Sequence, residues 1–146
     1  MQPRLQLITL GVPDLAQARA FYVDRLGWHP TFDVPGVITF IQIGPGLLLG
    51  LFGADDLDAD IGQPGHGVGP APLTLAQVLQ TEDEVVATLA AAEAAGATIL
   101  KPAQYADFGG FHGYFADPSG FRWEIATNPG WSEAPDGTVS LGPIGG

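Results

Sequence analysis

Short runs of alternating hydrophobic and polar residues fill the first third of the chain, and one helical pattern interrupts them. Residues 4–12 alternate and predict a strand. A helix follows, because Asp14 and Gln17 form a plausible capping box and Gly27 is suited to a helix end. Three further runs, separated by Pro-Gly and Gly-Pro-Gly turns, predict strands over 28–33, 37–43 and 47–52. The apolar helical stripe consists of Leu15, Ala18, Tyr22 and Leu26.

The same order of elements returns in the second half. Thr81 and Glu84 form a T-x-x-E capping box after a predicted strand, and Gly96 ends the helix. Asp14 matches Asp83 and Gly27 matches Gly96 at one constant offset, which is typical of an internal repeat. Because one βαβββ module leaves a curved sheet half covered, two modules must share a core or a cleft. The predicted strands are 72–79, 97–100, 113–116 and 121–126.

We therefore predict an α+β fold, in which two tandem βαβββ modules form curved mixed sheets around a cleft, with helices on the outer faces. The single domain divides into module one at about 4–53, a linker at 54–71, module two at about 72–127 and a tail at 128–146. The linker is rich in Gly, Pro and Asp and lacks periodicity, which favours a flexible loop. In the tail, we expect Thr138 to Leu141 to pair with a sheet edge.

Composition narrows the possible partners. The net charge of −11, from 16 acidic and 5 basic residues, disfavours nucleic acid and anionic membranes, which both attract clustered Lys and Arg. The charge serves solubility, or it attracts a cationic small molecule. No cysteine is present, so no thiolate metal site is possible. The first residues do not form a signal peptide, and no apolar run is long enough to span a bilayer, so we expect a cytoplasmic protein.

Two segments carry a resemblance to a known family. They are TLGVPDLAQARAFYVDRLGW near the start and GATILKPAQYADFGGFHGYFADPSGFRWEIATNPGW near the end. The first resembles the opening strand and helix of the vicinal-oxygen-chelate superfamily, and the second is similar to its closing hairpin. This superfamily includes glyoxalases, bleomycin-binding proteins and extradiol dioxygenases. The resemblance covers about residues 4–130 and implies a small-molecule cleft and a homodimer.

In metal-dependent members, the resemblance implies four ligand side chains on the inner faces of the sheets. Those positions fall at Leu7, Gly50, Ala76 and Glu124, with Gln77 beside Ala76. Only Glu124 carries a donor at its position, so we expect neither a bound metal nor another cofactor. The three histidines, His29, His66 and His112, show no ligand spacing with Glu124.

The last strand of module two supplies the first candidate site residues. Alternation places Arg122 and Glu124 on the cleft side and turns Trp123 and Ile125 towards the core. Glu124 is a candidate to bind substrate or to act as a general base. The alternative is a structural ion pair between Glu124 and Arg122.

Aromatic residues around a glycine-rich loop supply further candidates for the cleft. The segment YADFGGFHGY has aromatic side chains that suit a flat or apolar ligand, and we favour this interpretation over the alternative of a hairpin whose aromatics fill the core. Asp107 and His112 are an acid–base hypothesis without evidence that they meet. Trp28 and Phe32 are expected in the core. The candidate ligand contacts are Gln42, Tyr105, Phe108, His112 and Tyr114.

Three functional hypotheses follow. The first is a binding protein that takes a small cationic or aromatic organic molecule without a metal, as the resemblance to bleomycin-binding proteins suggests. The second is a lyase, isomerase or dioxygenase with relocated metal ligands. The third is a metal-free enzyme that uses Glu124 as its base.

Overall fold

The structure is a computed structural model that describes residues 1–3, 5–62, 71, 73–107 and 109–142. The chain divides into two compact units, Met1–Ala71 and Pro72–Gly146. Each unit contains a four-stranded mixed sheet and a helix packed on one side of it. The predicted α+β class and the βαβββ order of both halves are confirmed. The strands are β1 Leu7–Val12, β2 Pro30–Val34, β3 Ile38–Gly44, β4 Leu47–Gly53, β5 Thr74–Leu79, β6 Thr98–Tyr105, β7 Phe111–Ala116, β8 Arg122–Thr127, β9 Trp131–Glu133 and β10 Val139–Leu141; the helices are α1 Leu15–Arg19, α2 Ala54–Ile61 and α3 Glu82–Ala95.

The first sheet has the order β1-β4-β3-β2, in which β1 and β4 are parallel and the other pairs antiparallel. Asp14 caps the start of helix α1, and its Oδ1 accepts a hydrogen bond from the Gln17 backbone N–H at 2.9 Å. The chain continues from α1 as a π-helix over Ala20–Arg25. The buried core of this unit includes Leu10, Val12, Phe21, Tyr22, Leu49 and Leu51.

A hydrogen-bonded network ties α1 to the first sheet. Arg19 donates from Nε and Nη2 to Asp33 Oδ2 at 2.9 and 2.7 Å, and the Thr39 hydroxyl donates to Asp33 Oδ1 at 2.9 Å. The hydrogen bond from Arg19 holds the pKa of Asp33 below its ordinary value, with Thr39 acting in the same direction. Asp33 is therefore charged at neutral pH and fixes the guanidinium over the edge of the sheet.

The prediction of a loop throughout residues 54–71 is wrong for its first part, because Ala54–Ile61 is the helix α2. Asp55 and Asp56 lie in its first turn, where acidic side chains stabilise the helix dipole, and Gly62 ends it with φ +81°. A Cβ at Gly11 would lie 3.0 Å from Leu57 Cδ2, so the helix packs closely on β1. Asp55, Asp56, Asp58 and Asp60 therefore belong to a helix and not to a loop.

The second sheet has the order β5-β8-β7-β6, with β5 and β8 parallel. Thr81 and Glu84 form the predicted capping box at the start of α3, and Gly96 ends the helix with φ +111°. Helix α3 packs against β7 at Gly113, where an added Cβ would lie 2.6 Å from Leu89 Cδ1. A side chain at that position would hold the helix away from the sheet. The helix buries Val85, Leu89, Ala92 and Ala95 against Phe115, Trp123 and Ile125.

The tail departs from the sequence prediction. Val139–Leu141 pairs with Trp131–Glu133 as an antiparallel hairpin, and not with the edge of either four-stranded sheet. A turn closed by Gly137, at φ +83°, brings these two short strands together. Within the described residues, no helix is long and apolar enough to cross a membrane.

Candidate functional site

Polar side chains gather on the face of the second sheet opposite α3. Strand pairing places Tyr114 beside both Glu124 and Lys101, while Trp123 and Ile125 turn to the other side and are buried under α3. The prediction that Arg122 and Glu124 share one side agrees with this register. We call this surface the polar face, defined by Lys101, His112, Tyr114, Arg122 and Glu124.

His112 and Glu124 are in direct contact on the polar face. The His112 Nδ1 lies 2.8 Å from Glu124 Oε1, and the two side chains are 9% and 24% exposed. Because the sequence shows no metal-ligand spacing between them, it offered no sign of this direct contact between His112 and Glu124. While Glu124 is ionised, the bond requires the proton on Nδ1, which leaves Nε2 of a neutral ring as the acceptor nitrogen. The carboxylate thus selects one tautomer of the imidazole.

Tyr114 completes a cluster around the carboxylate. Burial, with the hydrogen bond to Glu124 as the next cause, raises the pKa of the Tyr114 phenol above its ordinary value. Tyr114 therefore remains a hydrogen-bond donor at neutral pH. Its ring meets the His112 ring edge to face at 5.5 Å, and Lys101 Nζ lies 6.0 Å from its centroid. Glu124, His112 and Tyr114 thus form one cluster, in which the carboxylate contacts His112 at 2.8 Å.

The charge of the polar face differs from that of the whole chain. The chain carries 16 acidic and 5 basic residues, yet this face carries two basic residues, Lys101 and Arg122, against one acidic residue among its described positions. Much of the acidic excess lies on α2 and at the start of α3. The net charge of −11 therefore does not describe the environment of Glu124.

The residues at the four family ligand positions do not fit a resident metal ion. In the second sheet, Ala76 lies directly opposite Glu124 and has no donor. In the first sheet, neither Leu7 nor Gly50 has a side chain that can bind a metal ion. The residues paired with them, Leu48 and Thr9, do not supply an imidazole or carboxylate in their place. Across the described part of the chain, no three His, Asp or Glu side chains converge as a metal site requires.

The structure does not bring every predicted contact to the polar face. Gln42 is exposed on the first sheet, where its Nε2 donates to the Gly44 carbonyl at 3.2 Å. Tyr105 is 73% exposed, and its hydroxyl donates to Glu82 of α3 on the opposite side of the second sheet. Phe108 lies outside the described residues. His112 has Glu124, not Asp107, as its carboxylate partner.

Two features of the site escaped the sequence interpretation. Lys101 lies on a strand with irregular register, so alternation alone does not assign its face. The contact between His112 and Glu124 follows from the turn over 117–120, which sets Tyr114 opposite Glu124 and His112 two residues away on the same face. Pairing the residues on either side of this Asp-Pro-Ser-Gly turn, starting from Ala116 and Arg122, would have predicted from the sequence that His112 and Glu124 are neighbours.

Comparisons with known proteins agree with this architecture. The model of the Glyoxalase/Bleomycin resistance protein/Dioxygenase superfamily matches residues 4–125, and the chain belongs to that superfamily. No curated protein matches the sequence.

Solved structures extend the comparison. A glyoxalase-related enzyme from Fulvimarina pelagi is 36% identical, with a TM-score of 0.86, over 97% of this chain and all of the other. A glyoxalase/bleomycin resistance protein/dioxygenase from Nocardioides is 24% identical, with a TM-score of 0.73, over 87% of this chain and 84% of its own. Lactoylglutathione lyase from Agrobacterium tumefaciens is 23% identical, with a TM-score of 0.67, over 87% of this chain and 95% of its own. The last two likenesses support the fold alone.

Proposed function

We propose that this protein binds a small organic molecule on its polar face, using protein groups in place of a resident metal ion. The observation that carries the proposal is the Glu124 carboxylate, which is held by His112 at 2.8 Å beside the Tyr114 ring. Because such a carboxylate still has acceptor capacity, it is a fixed anchor for a ligand that donates a hydrogen bond.

The ligand class follows from the other groups on this face. The Tyr114 ring, packed edge to face against His112, supplies an aromatic group on this face, which suits a flat ring. Lys101 and Arg122 make this face unfavourable for a ligand whose only charge is positive, so an aromatic molecule with a neutral or anionic polar group is favoured. Of the two ligand classes expected from the sequence, cationic from the net charge and aromatic from the segment YADFGGFHGY, we propose the aromatic one for this face.

A matched series of ligands tests this proposal. Benzoate, benzamide and benzamidinium have nearly the same shape and differ in charge. Titration of ¹⁵N-labelled protein is expected to show saturable shifts that include the amides of β7 and β8, with benzamidinium the weakest ligand. If benzamidinium binds best, or if the shifts lie elsewhere, the assignment of this face to such a ligand is wrong.

Variants locate the anchor. Glu124→Gln keeps the shape of the side chain but removes its charge, and Lys101→Met removes the cation beside Tyr114. Each is expected to change the relative affinities of the three ligands, whereas Glu133→Gln on the exposed β9 leaves them unchanged. If Glu124→Gln leaves the relative affinities of the three ligands as unchanged as Glu133→Gln does, the proposal is contradicted.

A second candidate function is proton transfer by the His112–Glu124 pair. An imidazole and a carboxylate 2.8 Å apart are a common arrangement for general acid–base work, and an enzyme 36% identical to this chain is described as glyoxalase-related. The expected reaction is removal of a proton next to a carbonyl group. Proton exchange of phenylpyruvate in deuterated buffer, measured by NMR with chelator present, is expected to be faster with the wild-type protein.

The variants of this pair separate catalysis from binding. His112→Gln and Glu124→Gln are both expected to abolish the exchange while at least one of them still binds phenylpyruvate. Elemental analysis of protein purified without chelator is expected to give less than about a tenth of an equivalent of transition metal. Exchange that appears only after metal is added would support the relocated-ligand hypothesis instead.

A further inference from the structure

A cavity lies in the second unit, where β5 leads into α3 and β8 leads into the tail hairpin. It has a volume of about 480 Å³. It involves none of the five residues that define the polar face. Its lining includes Gln80, Thr81, Glu82, Asn128 and Trp131.

The start of α3 does not offer this cavity an anion site. The Glu84 backbone N–H donates to Thr81 Oγ1 at 3.2 Å, and Glu84 Oε2 accepts from the backbones of Thr81 and Gln80 at 2.9 and 3.0 Å. The capping box therefore occupies backbone donors that an anion would otherwise use. Acidic side chains at Glu82, Asp83 and Glu84 further oppose a negative ligand.

The cavity instead has the groups that recognise a cation. Glu82 supplies a carboxylate and Trp131 an indole ring, while the lining has no Lys or Arg. The Tyr105 hydroxyl donates to Glu82 Oε2 at 3.2 Å, and this bond raises the pKa of Tyr105. Because a carboxylate has about four acceptor positions, Glu82 keeps capacity for a ligand.

The backbone that carries Trp131 is held by hydrogen bonds beside the cavity. The Trp131 backbone N–H donates to the Asn128 carbonyl at 3.0 Å, and Asn128 Oδ1 accepts from Gly130 at 3.0 Å. These bonds hold the turn from which the half-buried Trp131 begins β9. An indole and a carboxylate around one cavity are a favourable combination for a substituted ammonium group, which interacts with both.

We propose that this cavity is a binding site for a small organic cation of the substituted ammonium class. The proposal does not depend on the function of the polar face, because the two sites share no residue. It also gives the acidic excess of the chain a local role that the polar face does not provide.

Choline and its uncharged isostere 3,3-dimethyl-1-butanol test the site, because they share a shape and differ in charge. The chain has three tryptophans, so ¹H–¹⁵N spectra contain three indole signals, and Trp131→Phe assigns one of them to Trp131. At constant ionic strength, choline is expected to shift the Trp131 indole signal saturably, whereas the alcohol leaves it in place. Equal shifts with both compounds, or none with choline, would overturn the proposal.

Variants separate recognition from folding. Glu82→Gln is expected to weaken choline binding by about threefold or more, while Glu133→Gln on β9, which does not line the cavity, binds as the wild type does. Trp131→Phe retains an aromatic ring and is expected to bind more weakly than wild type but more tightly than Trp131→Leu. Thermal unfolding checks that each variant is folded. Wild-type affinity in Glu82→Gln would contradict the assignment.

Discussion

The two units share one topology but present different chemistry on the sheet face opposite their main helix. The first unit has an apolar face there, on which Leu7, Phe32 and Val34 are 42%, 53% and 37% exposed. The second has the polar face around Glu124. The expectation that Phe32 lies in the core is wrong, because it pairs with Phe40 on this other face. Strand order and helix caps determine the fold of each unit, while side chains facing away from the helix determine its chemistry.

The largest expected effects come from the helix–sheet cores. Phe21→Ala in the first unit removes a fully buried ring and is expected to cost about 3–5 kcal/mol of unfolding free energy. Leu89→Ala in the second is expected to cost about 2–5 kcal/mol. Val86→Ala, on the exposed side of the same helix, serves as the control with a change within about 0.5 kcal/mol. Urea denaturation measures all three, and a similar loss for Val86→Ala would contradict the assigned packing.

A smaller effect is expected at the close approach of α3 to its sheet. Gly113→Ala places a Cβ 2.6 Å from Leu89 Cδ1 and 2.8 Å from the Lys101 carbonyl oxygen, so we expect a loss of about 1–3 kcal/mol. The matched change in the first unit is Gly44→Ala, where no atom lies within 4 Å of the added Cβ and the stability is expected to stay near that of the wild type. In urea denaturation, equal stability of the two variants would refute the close approach.

The smallest expected effects are on the pH dependence of stability. A carboxyl group of the first unit and a phenol of the second contribute to it with opposite signs. Because the pKa of Asp33 is lowered in the folded state, its contribution to stability is present above the unfolded pKa of about 4 and is lost as pH falls through its folded pKa. Asp33→Asn is expected to weaken that acid dependence. Thermal unfolding of the wild type and of Asp33→Asn, followed from about pH 2 to 6, measures this difference in acid dependence.

The stability contribution of the Tyr114 phenol depends on pH in the opposite direction. Since its pKa is raised in the folded state, its contribution is complete below the unfolded pKa of about 10 and is lost as pH rises through the folded pKa. Ultraviolet titration of the wild type against Tyr114→Phe isolates this phenol from Tyr22 and Tyr105. Glu124→Gln is expected to move the pKa of Tyr114 downwards, and an unchanged alkaline titration would argue against their hydrogen bond.

The homodimer and the cytoplasmic location expected from the sequence stay predictions. The exposed apolar face of the first unit is the kind of surface that a second copy of a chain often covers. Light scattering coupled to size-exclusion chromatography measures the oligomeric state directly.

Much of the fold could be predicted from local signals. The Thr81–Glu84 capping box, the Gly96 helix end and the alternation around Trp123 each act within a few residues, and each is present in the structure. Helix α2 was missed because its apolar residues are few, although two acidic residues in the first turn and Gly62 at its end were available as signals. The tail hairpin was assigned the wrong partner because short exposed strands carry little pattern.

By itself, the sequence determined two βαβββ units, their helix boundaries in the repeated parts and the lack of donors at Leu7, Gly50 and Ala76, because periodicity, capping and residue type are local properties. Only the tertiary structure decided that His112 meets Glu124, that Tyr105 turns to α3, and that the polar face carries more basic than acidic groups. The physical reason is register. A contact between strands depends on how a turn and its bulges align them, and a shift of one residue would place every side chain on the opposite face.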